Sequence, residues 1–357
     1  MSPLHDYHQR HAHDFIALGG YALPLLYQTA QKEFAATQTA AMMDMSFLGK
    51  LYVSGKDREA LLHRLTTNEM RNLPAGKTRV NVFTNAKGRV IDRFEMLVEN
   101  DRYLLLTSAG RDETLRQWID KYTFIEDVQV ANITREFMII GLFGKESAMR
   151  LLACLQIEAN APARGSFSKH EWRGSELLIH SPESASPAQL HLLIKNDTAL
   201  VLWETLLSAF TPIGHEAFET LRILQGIPMA EHELTEDYNP HEAGLYPLIN
   251  FEKGCYVGQE VIARLDTYQK VQRQLVGVKL EAPPLACLGA TLWSAEQELG
   301  RLTSVARAPE GVGAIGLALI RKQSAQPEAR VIARTSSGEN FNATLVQLPF
   351  ALCSEVS

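Results

Sequence analysis

A single cysteine stands in the segment of this chain whose residue types are best suited to chemistry. Residues 253–260 read KGCYVGQE, with Cys255 two positions after Lys253 and three before Gly258. The pattern after Gly258 predicts a helix that begins at Gln259, with Glu260 in its first turn. A nearby ammonium and a helix N-terminus both lower the pKa of a thiol, so the sequence indicates a reactive thiolate. The alternative is that Cys255 is a small buried apolar residue in a turn.

Four further charged residues are candidates for ligand contacts, and each has a purely structural alternative. Asp92 on a predicted strand either contacts a ligand or is a solvated strand residue. Arg222 on a predicted helix pairs with a ligand carboxylate or forms an interdomain salt bridge. Glu242 bonds the donor edge of a ligand ring or orders an irregular loop. Arg264 follows the cysteine motif on the same helix, where it complements an acidic tail or faces water.

Other patterns that resemble binding motifs predict no metal and no nucleotide site. The N-terminal histidines have metal-like spacing but no supporting residues; they are His5, His8, His11 and His13. Residues 76–78 read Gly-Lys-Thr, but position 71 is Arg, so the full phosphate-loop pattern is absent. The chain has no Cys-x-x-Cys pair, and an iron–sulfur cluster held by this chain alone would need distant thiols.

The elements that must carry these residues predict an α+β fold. Strands over 80–83, 90–98 and 103–107 are flanked by helices over 58–65 and 111–122. A second series repeats this order about 87 residues later, with strands over 137–143, 176–179 and 190–194. It has helices over 145–155 and 198–209, the latter capped by Asn196 and Asp197. Two similar lobes, each an antiparallel sheet with helices on one face, follow from this repetition.

The last third of the chain predicts a third lobe. A helix over 215–225 ends at Gly226, and from about residue 271 short apolar runs alternate with Gly, Pro and Ser turns, which is typical of a small β-barrel. We therefore predict lobes over 1–135, 136–270 and 271–357, with the cysteine motif in the second.

Composition excludes several classes of protein. The chain has 357 residues, a formal charge of −6 and 46% hydrophobic residues, which is globular and argues against a general nucleic-acid binder. No run of 18 apolar residues predicts a membrane span, and the N-terminus lacks a secretory apolar region. Four scattered cysteines do not form a disulfide framework, so we expect a reducing cytoplasm.

The cysteine motif resembles the signature of the YgfZ family of folate-binding proteins, which belongs to the superfamily of the glycine-cleavage T-protein, an aminomethyltransferase. Other landmarks along nearly the whole chain are similar to that superfamily; they include Gly20-Tyr21, Thr67-Asn68, Gly88 to Asp92, Leu221-Arg222, Glu242 to Leu245, Arg273 to Gly277 and Leu348 to Phe350. The resemblance implies three lobes around a central cavity for tetrahydrofolate or a one-carbon-substituted reduced folate. It also implies a role in assembling or repairing iron–sulfur proteins, with assembly proteins or client enzymes as partners.

On this reading Cys255, Lys253 and Asp92 carry the chemistry. The folate-binding set implied is Asp92, Arg222, Glu242, Tyr256, Gln259, Glu260 and Arg264. The sequence also departs from the T-protein, whose folate strand usually carries two adjacent acids, the second catalytic; here the pair is Asp92-Arg93, and Val80 replaces an expected tyrosine. Transfer of an aminomethyl group needs a placed carboxylate, so Arg93 argues against this activity unless Asp92 or Glu95 substitutes. A tetrahydrofolate-dependent aminomethyltransferase and a folate-binding scaffold without chemistry are the alternatives.

Overall fold

The computed structural model describes residues 1–183 and 189–351. The helices in these ranges are α1 (His5–His11), α2 (Ala30–Ala36), α3 (Arg58–Leu65), α4 (Asp112–Lys121), α5 (Ser147–Leu155), α6 (Asn196–Leu206), α7 (His215–Gln225), α8 (Gln259–Thr267) and α9 (Pro284–Cys287), with short 3₁₀ turns at Tyr246–Leu248 and Lys322–Ser324. The strands are β1 (His13–Leu18), β2 (Tyr21–Leu26), β3 (Ala41–Asp44), β4 (Leu48–Ser54), β5 (Thr78–Thr84), β6 (Val90–Val98), β7 (Arg102–Ala109), β8 (Gln129–Asn132), β9 (Phe137–Phe143), β10 (Ser166–Trp172), β11 (Ser175–Ser181), β12 (Gln189–Lys195), β13 (Thr211–Pro212), β14 (Arg273–Leu280), β15 (Thr291–Ser294), β16 (Gln297–Arg307), β17 (Ala314–Arg321), β18 (Arg330–Arg334) and β19 (Asn340–Val346).

Two sheets with the same internal strand order confirm the predicted α+β repeat. The first sheet has the order β5-β6-β7-β4-β8, and the second has the order β10-β11-β12-β9-β3-β13. In each repeat one helix follows the first strand and another follows the fourth. The second sheet differs because β3, from the N-terminal part of the chain, pairs with β9 and, in parallel, with β13.

Helices on an apolar face bury the core of each repeat. In the second repeat Trp203 and Leu206 of α6 pack with Leu151 of α5 against apolar side chains of β9 and β12. In the first repeat Leu61, Leu62 and Leu65 of α3 are buried. The predicted cap of α6 is wrong, because the helix begins at Asn196 and its N-cap position is Lys195.

The C-terminal strands close into a six-stranded barrel, as predicted. The strand order is β14-β17-β16-β15-β18-β19, and β14 pairs with both β17 and β19 to close it. Side chains that alternate along the strands, such as Val276, Val278 and Leu280, fill its interior.

By its contacts the described chain divides into two units that differ from the three predicted lobes. One unit contains residues 1–84, 92–217 and 252–257, and therefore both sheets and the cysteine loop. The other contains residues 85–91, 218–251 and 258 onward, with α7, α8 and the barrel. The three-lobe division stays a prediction.

Candidate functional site

The loop that carries Cys255 is fastened to the C-terminal end of α3 by Lys253. The buried Lys253 Nζ donates to the carbonyl oxygens of His63 at 2.8 Å, Thr66 at 2.6 Å and Asn68 at 2.7 Å. The last carbonyls of a helix have no partner within it, and a cation favours this end of the helix dipole. Lys253 therefore caps α3.

The C-terminal end of the same loop is also held by hydrogen bonds, through Val257. The Val257 backbone N–H donates to the Arg64 carbonyl at 2.9 Å, and Thr84 Oγ1 donates to the Val257 carbonyl at 2.7 Å. Thr66 Oγ1 donates to the Leu62 carbonyl at 2.8 Å. Three successive carbonyls at the end of α3 are thus satisfied, and the cysteine loop supplies two of the donors.

Cys255 lies between these anchors and is exposed. Among the described residues its sulfur has no hydrogen-bond partner. The alternative of a small buried apolar residue is therefore wrong for Cys255. Burial lowers the pKa of Lys253 to about 7, and its ammonium is already committed to three carbonyls. The prediction that Lys253 holds the thiol as a thiolate stays a prediction.

Tyr256 anchors the loop through its ring. The side chain is buried, and Lys253 Nζ lies 5.2 Å from the ring centroid. Burial raises the pKa of Tyr256 to about 12, so the phenol stays protonated at neutral pH. Its buried hydroxyl has no partner among the described residues, which leaves one donor for a ligand.

His63 is a residue of this site that the sequence reasoning missed. It occupies the last turn of α3, is only 6% exposed, and its Nδ1 lies 3.0 Å from Glu69 Oε1. An ideal Cβ built on Gly254 would lie 3.8 Å from His63 Nε2. No local pattern could identify His63, because the loop that it faces is about 190 positions away.

Asp92 on β6 has one satisfied and one free carboxylate oxygen. The residue is fully buried, and the Ser108 backbone N–H donates to Oδ2 at 3.0 Å. Its Oδ1 is buried and has no partner among the described residues. Burial raises the pKa of Asp92 to about 6, so the group can take up a proton near neutral pH. The alternative of a solvated strand residue is wrong.

Glu95, the other acid on this strand, is fully engaged. Its Oε1 accepts from Thr78 Oγ1 at 2.9 Å and from the Glu183 backbone N–H at 2.8 Å, and His180 Nε2 lies 3.1 Å away. Burial opposes its ionisation, but His180 and the hydrogen bonds outweigh burial and hold the pKa of Glu95 at about 2. Glu95 is therefore a poor proton acceptor.

The remaining predicted residues lie in the other unit. The Arg222 guanidinium is buried between Glu219 and Glu233, so a ligand carboxylate would have to compete with two carboxylates. Glu242 Oε2 accepts from the Asn239 backbone N–H at 3.2 Å and lies 3.6 Å from Arg89 Nη1. These bonds match the loop-ordering alternative for Glu242.

The predicted helix after Gly258 is α8, which begins at Gln259 as expected. Glu260 and Arg264 are exposed on it, and Gln259 is half-buried. Of the nine residues predicted for the site, four lie in the first unit: Lys253, Cys255, Tyr256 and Asp92. The other five lie in the second unit: Arg222, Glu242, Gln259, Glu260 and Arg264. The ligand contacts predicted for these residues stay predictions.

Two further features of the described ranges bear on function. No group of three or more His, Cys, Asp or Glu side chains there has the arrangement of a metal site. His8, from the N-terminal histidine series, instead contacts Asp44 at 3.0 Å and Tyr27 at 2.7 Å inside the core. None of the described helices combines the length and the apolar character that crossing a membrane requires.

Known proteins match this chain over nearly its full length. The model of the GCVT N-terminal domain matches residues 4–253, and that of the glycine cleavage T-protein C-terminal barrel domain matches residues 273–351. A putative chloroplastic transferase of Arabidopsis thaliana is 31% identical over 87% of this chain and 71% of its own length. An aminomethyltransferase of Chlorobium luteolum is 28% identical over 98% of each chain. The crystal structure of the glycine cleavage system aminomethyltransferase T from Bartonella henselae has the same fold, with a TM-score of 0.87, 22% identity and coverage of 98% and 97%.

Proposed function

Because this chain belongs to the glycine cleavage T-protein family, we propose that it binds tetrahydrofolate or a one-carbon-substituted reduced folate. We propose further that it uses Cys255 to support the assembly or repair of iron–sulfur proteins. The observation that carries this second step is the exposed, unpartnered sulfur on a loop anchored at both ends. A fixed and accessible thiol is suited to chemistry, whereas a buried cysteine only fills space.

Asp92 fits a reduced folate, because a buried oxygen without a partner is complementary to an N–H donor. The pterin ring offers such donors on its amino group and ring nitrogens, and Asp92 Oδ1 has no other partner among the described residues. When bound, a reduced folate supplies a carrier for a one-carbon group. Asp92 would orient the ring and exchange a proton at Oδ1, since its pKa lies at about 6.

Cys255 would act on a macromolecular partner. An exposed thiol is reachable by an assembly protein or client enzyme, and one thiolate can supply one ligand to an iron–sulfur cluster while the partner supplies the others. Cys154, Cys255 and Cys287 are all unbridged, as a reducing cytoplasm would keep them.

A tetrahydrofolate-dependent aminomethyltransferase is the second candidate. Several relatives carry that name, and Asp92 provides one carboxylate with a pKa near neutral pH. Arg93 stands where the resemblance leads us to expect the catalytic acid, and Glu95 is held ionised by its bonds. This activity predicts tetrahydrofolate-dependent release of ammonia from an aminomethylated lipoyl carrier protein. It should fall by at least tenfold in Asp92→Asn but not in Cys255→Ser.

Calorimetric titration with several reduced folates tests the binding step. We expect saturable binding by the wild type and at least tenfold weaker binding by Asp92→Asn, because the amide cannot replace the free carboxylate oxygen. Asp101→Asn, at an exposed position, is the matched control and should bind like the wild type. Absence of binding to every reduced folate would remove the folate from the proposal.

Complementation of a deletion strain tests the thiol. Activity of iron–sulfur enzymes should be restored by the wild type and by Cys154→Ser, but not by Cys255→Ser. Cys154 is a suitable control because its sulfur already hydrogen-bonds to the Thr205 carbonyl at 3.3 Å inside the second repeat. Full rescue by Cys255→Ser would exclude the thiol from the function.

A further inference from the structure

A cavity of about 650 Å³ lies between the ends of α7 and α8, the 3₁₀ turn at Tyr246–Leu248 and the first strand of the barrel. The described residues that line it all belong to the second unit, and none of the nine residues predicted for the site is among them. Small-ligand sites typically have volumes of about 300–1,000 Å³. The cavity is therefore large enough for a ligand of its own, separate from the one proposed for Asp92.

One wall of this cavity is aromatic. The side chain of Tyr246 lines it and is 50% exposed. The centroid of its ring lies 5.4 Å from that of His241 and 5.8 Å from that of Phe251, so two neighbouring rings support it. An exposed aromatic ring that its neighbours support is a surface on which a flat heterocycle stacks.

Two hydrogen-bond acceptors lie on the same cavity wall or beside it. His241 Nε2 lies 3.2 Å from the Ile262 carbonyl oxygen, which can only accept, so Nε2 carries the proton and Nδ1 is left as an acceptor. Burial lowers the pKa of His241, so the imidazole is neutral at pH 7. Asp266 also lines the cavity, and its half-buried carboxylate makes no hydrogen bond or ion pair with the described residues. These acceptors suit a ring that carries N–H donors.

Two cations stand at the barrel edge of the cavity. The Lys322 backbone N–H donates to the Gln272 carbonyl at 2.8 Å, and Arg273 pairs with Arg321 across the strands, so Lys322 and Arg273 lie close together along the chain fold. Both side chains are exposed, and neither forms an ion pair or a hydrogen bond with the described residues. The Arg273 guanidinium carbon lies 5.6 Å from the centroid of the Tyr238 ring. Cations without a carboxylate partner favour an anionic ligand.

We infer that this cavity binds a nucleotide. The base stacks on Tyr246, and its N–H groups donate to Asp266 and His241. The phosphates lie at Lys322 and Arg273. A free phosphate would leave the aromatic wall unused, and an uncharged aromatic compound would leave both cations without a counter-charge, whereas a nucleotide uses all of these groups.

Calorimetric titration of the full chain with ADP and with GDP, in the absence of divalent metal ions, tests this inference. We expect saturable binding of at least one of them to a single site. Lys322→Ala should weaken that binding about tenfold and make it less dependent on salt, because one charge-assisted contact to phosphate is lost. Tyr246→Ala should weaken it at least about fivefold and leave its salt dependence unchanged, because stacking is not screened by ions. Lys279→Ala and Tyr268→Ala, at exposed positions that do not line the cavity, are the matched controls and should bind like the wild type.

Three outcomes would overturn the inference. The first is that neither ADP nor GDP binds at millimolar concentration. The second is wild-type nucleotide affinity in both cavity variants, each with the wild-type urea midpoint, which we expect because both side chains are half or more exposed. The third is that a reduced folate displaces the nucleotide and itself binds more weakly to Tyr246→Ala, which would make this cavity the folate site.

The first two outcomes leave the proposed function standing, because the cavity uses none of its residues. That function is decided separately, by folate titration of Asp92→Asn and by rescue of the deletion strain with Cys255→Ser. Conversely, full rescue by Cys255→Ser would not affect the nucleotide site.

Discussion

Asp92 should make the protein less stable at neutral pH than a neutral side chain in the same place would. Burial raises the pKa of its carboxyl from 3.8 to about 6 in the folded state. Between these values the folded state holds a proton that the unfolded state has released, so the free energy of unfolding falls as pH rises. The full difference corresponds to about 3 kcal/mol, of which about 1 kcal/mol develops between pH 5 and pH 7.

Asp92→Asn isolates this effect because the amide does not titrate and its oxygen can still accept from the Ser108 N–H. Whatever the amide costs in packing is the same at both pH values. We therefore expect the variant to gain about 1 kcal/mol relative to the wild type between pH 5 and pH 7. Urea unfolding of both proteins at pH 5 and pH 7 measures this gain. Asp101→Asn is the control, and we expect its free energy of unfolding to differ from that of the wild type by the same amount at both pH values. The reasoning would be refuted if the free energy of unfolding of Asp92→Asn differed from that of the wild type by the same amount at both pH values, or if the variant were favoured more at pH 5.

Three substitutions test contacts that stabilise the fold or the cysteine loop. Glu33→Gln should lower the free energy of unfolding by about 3 kcal/mol in urea titrations, because the carboxylate accepts from three backbone N–H groups and an amide turns a donor toward one of them. Gly258→Ala should lower the free energy of unfolding by about 1–3 kcal/mol in the same assay, since φ is +87° and the added Cβ would lie 2.5 Å from the Asn85 carbonyl oxygen. Gly174→Ala is its control, because Gly174 also has a positive φ of +78° but no atom close to an added Cβ, so this variant shows the cost of backbone strain alone. Lys253→Met should lower the free energy of unfolding by at least about 3 kcal/mol, because three buried carbonyls lose their donor. It should also speed proteolysis at residues 253–257, measured by mass spectrometry of limited digests. A digestion pattern like that of the wild type would argue against Lys253 as the cap.

Apolar runs and clear turn residues made much of the fold predictable. β6, β9 and α7 have the bounds predicted from sequence. β9 is an uninterrupted apolar run, whereas β6 and α7 mix apolar and charged residues and have clear ends. β3 was missed because AMMD shows no alternation and gains its place only by pairing with β9. β16 was missed because it is rich in polar residues and contains an irregularity between Leu302 and Ser304.

The site was predictable only where chemistry is local in sequence. The turn glycines and the cysteine between Lys253 and Gly258 identify the loop, and α8 begins where the motif placed it. His63 carries no such signal, since a histidine beside Leu61 and Leu62 on a helix is typical of a core position. What places His63 at the site is its contact with a loop about 190 positions later, and single-sequence patterns contain no information on such distant pairs.

The capping of α3 changes how variants of the cysteine motif should be interpreted. Lys253 and Val257 satisfy carbonyls of the helix, whereas Cys255 makes no hydrogen bond with the described residues. Loss of function in a Lys253 variant therefore reports first on folding, because it leaves buried carbonyls unpaired. Cys255→Ser removes no contact that stabilises the loop, so its loss of function reports on chemistry. Since the loop is held by backbone atoms that any residue provides at positions 63, 64, 66 and 68, its position does not depend on the His63 side chain.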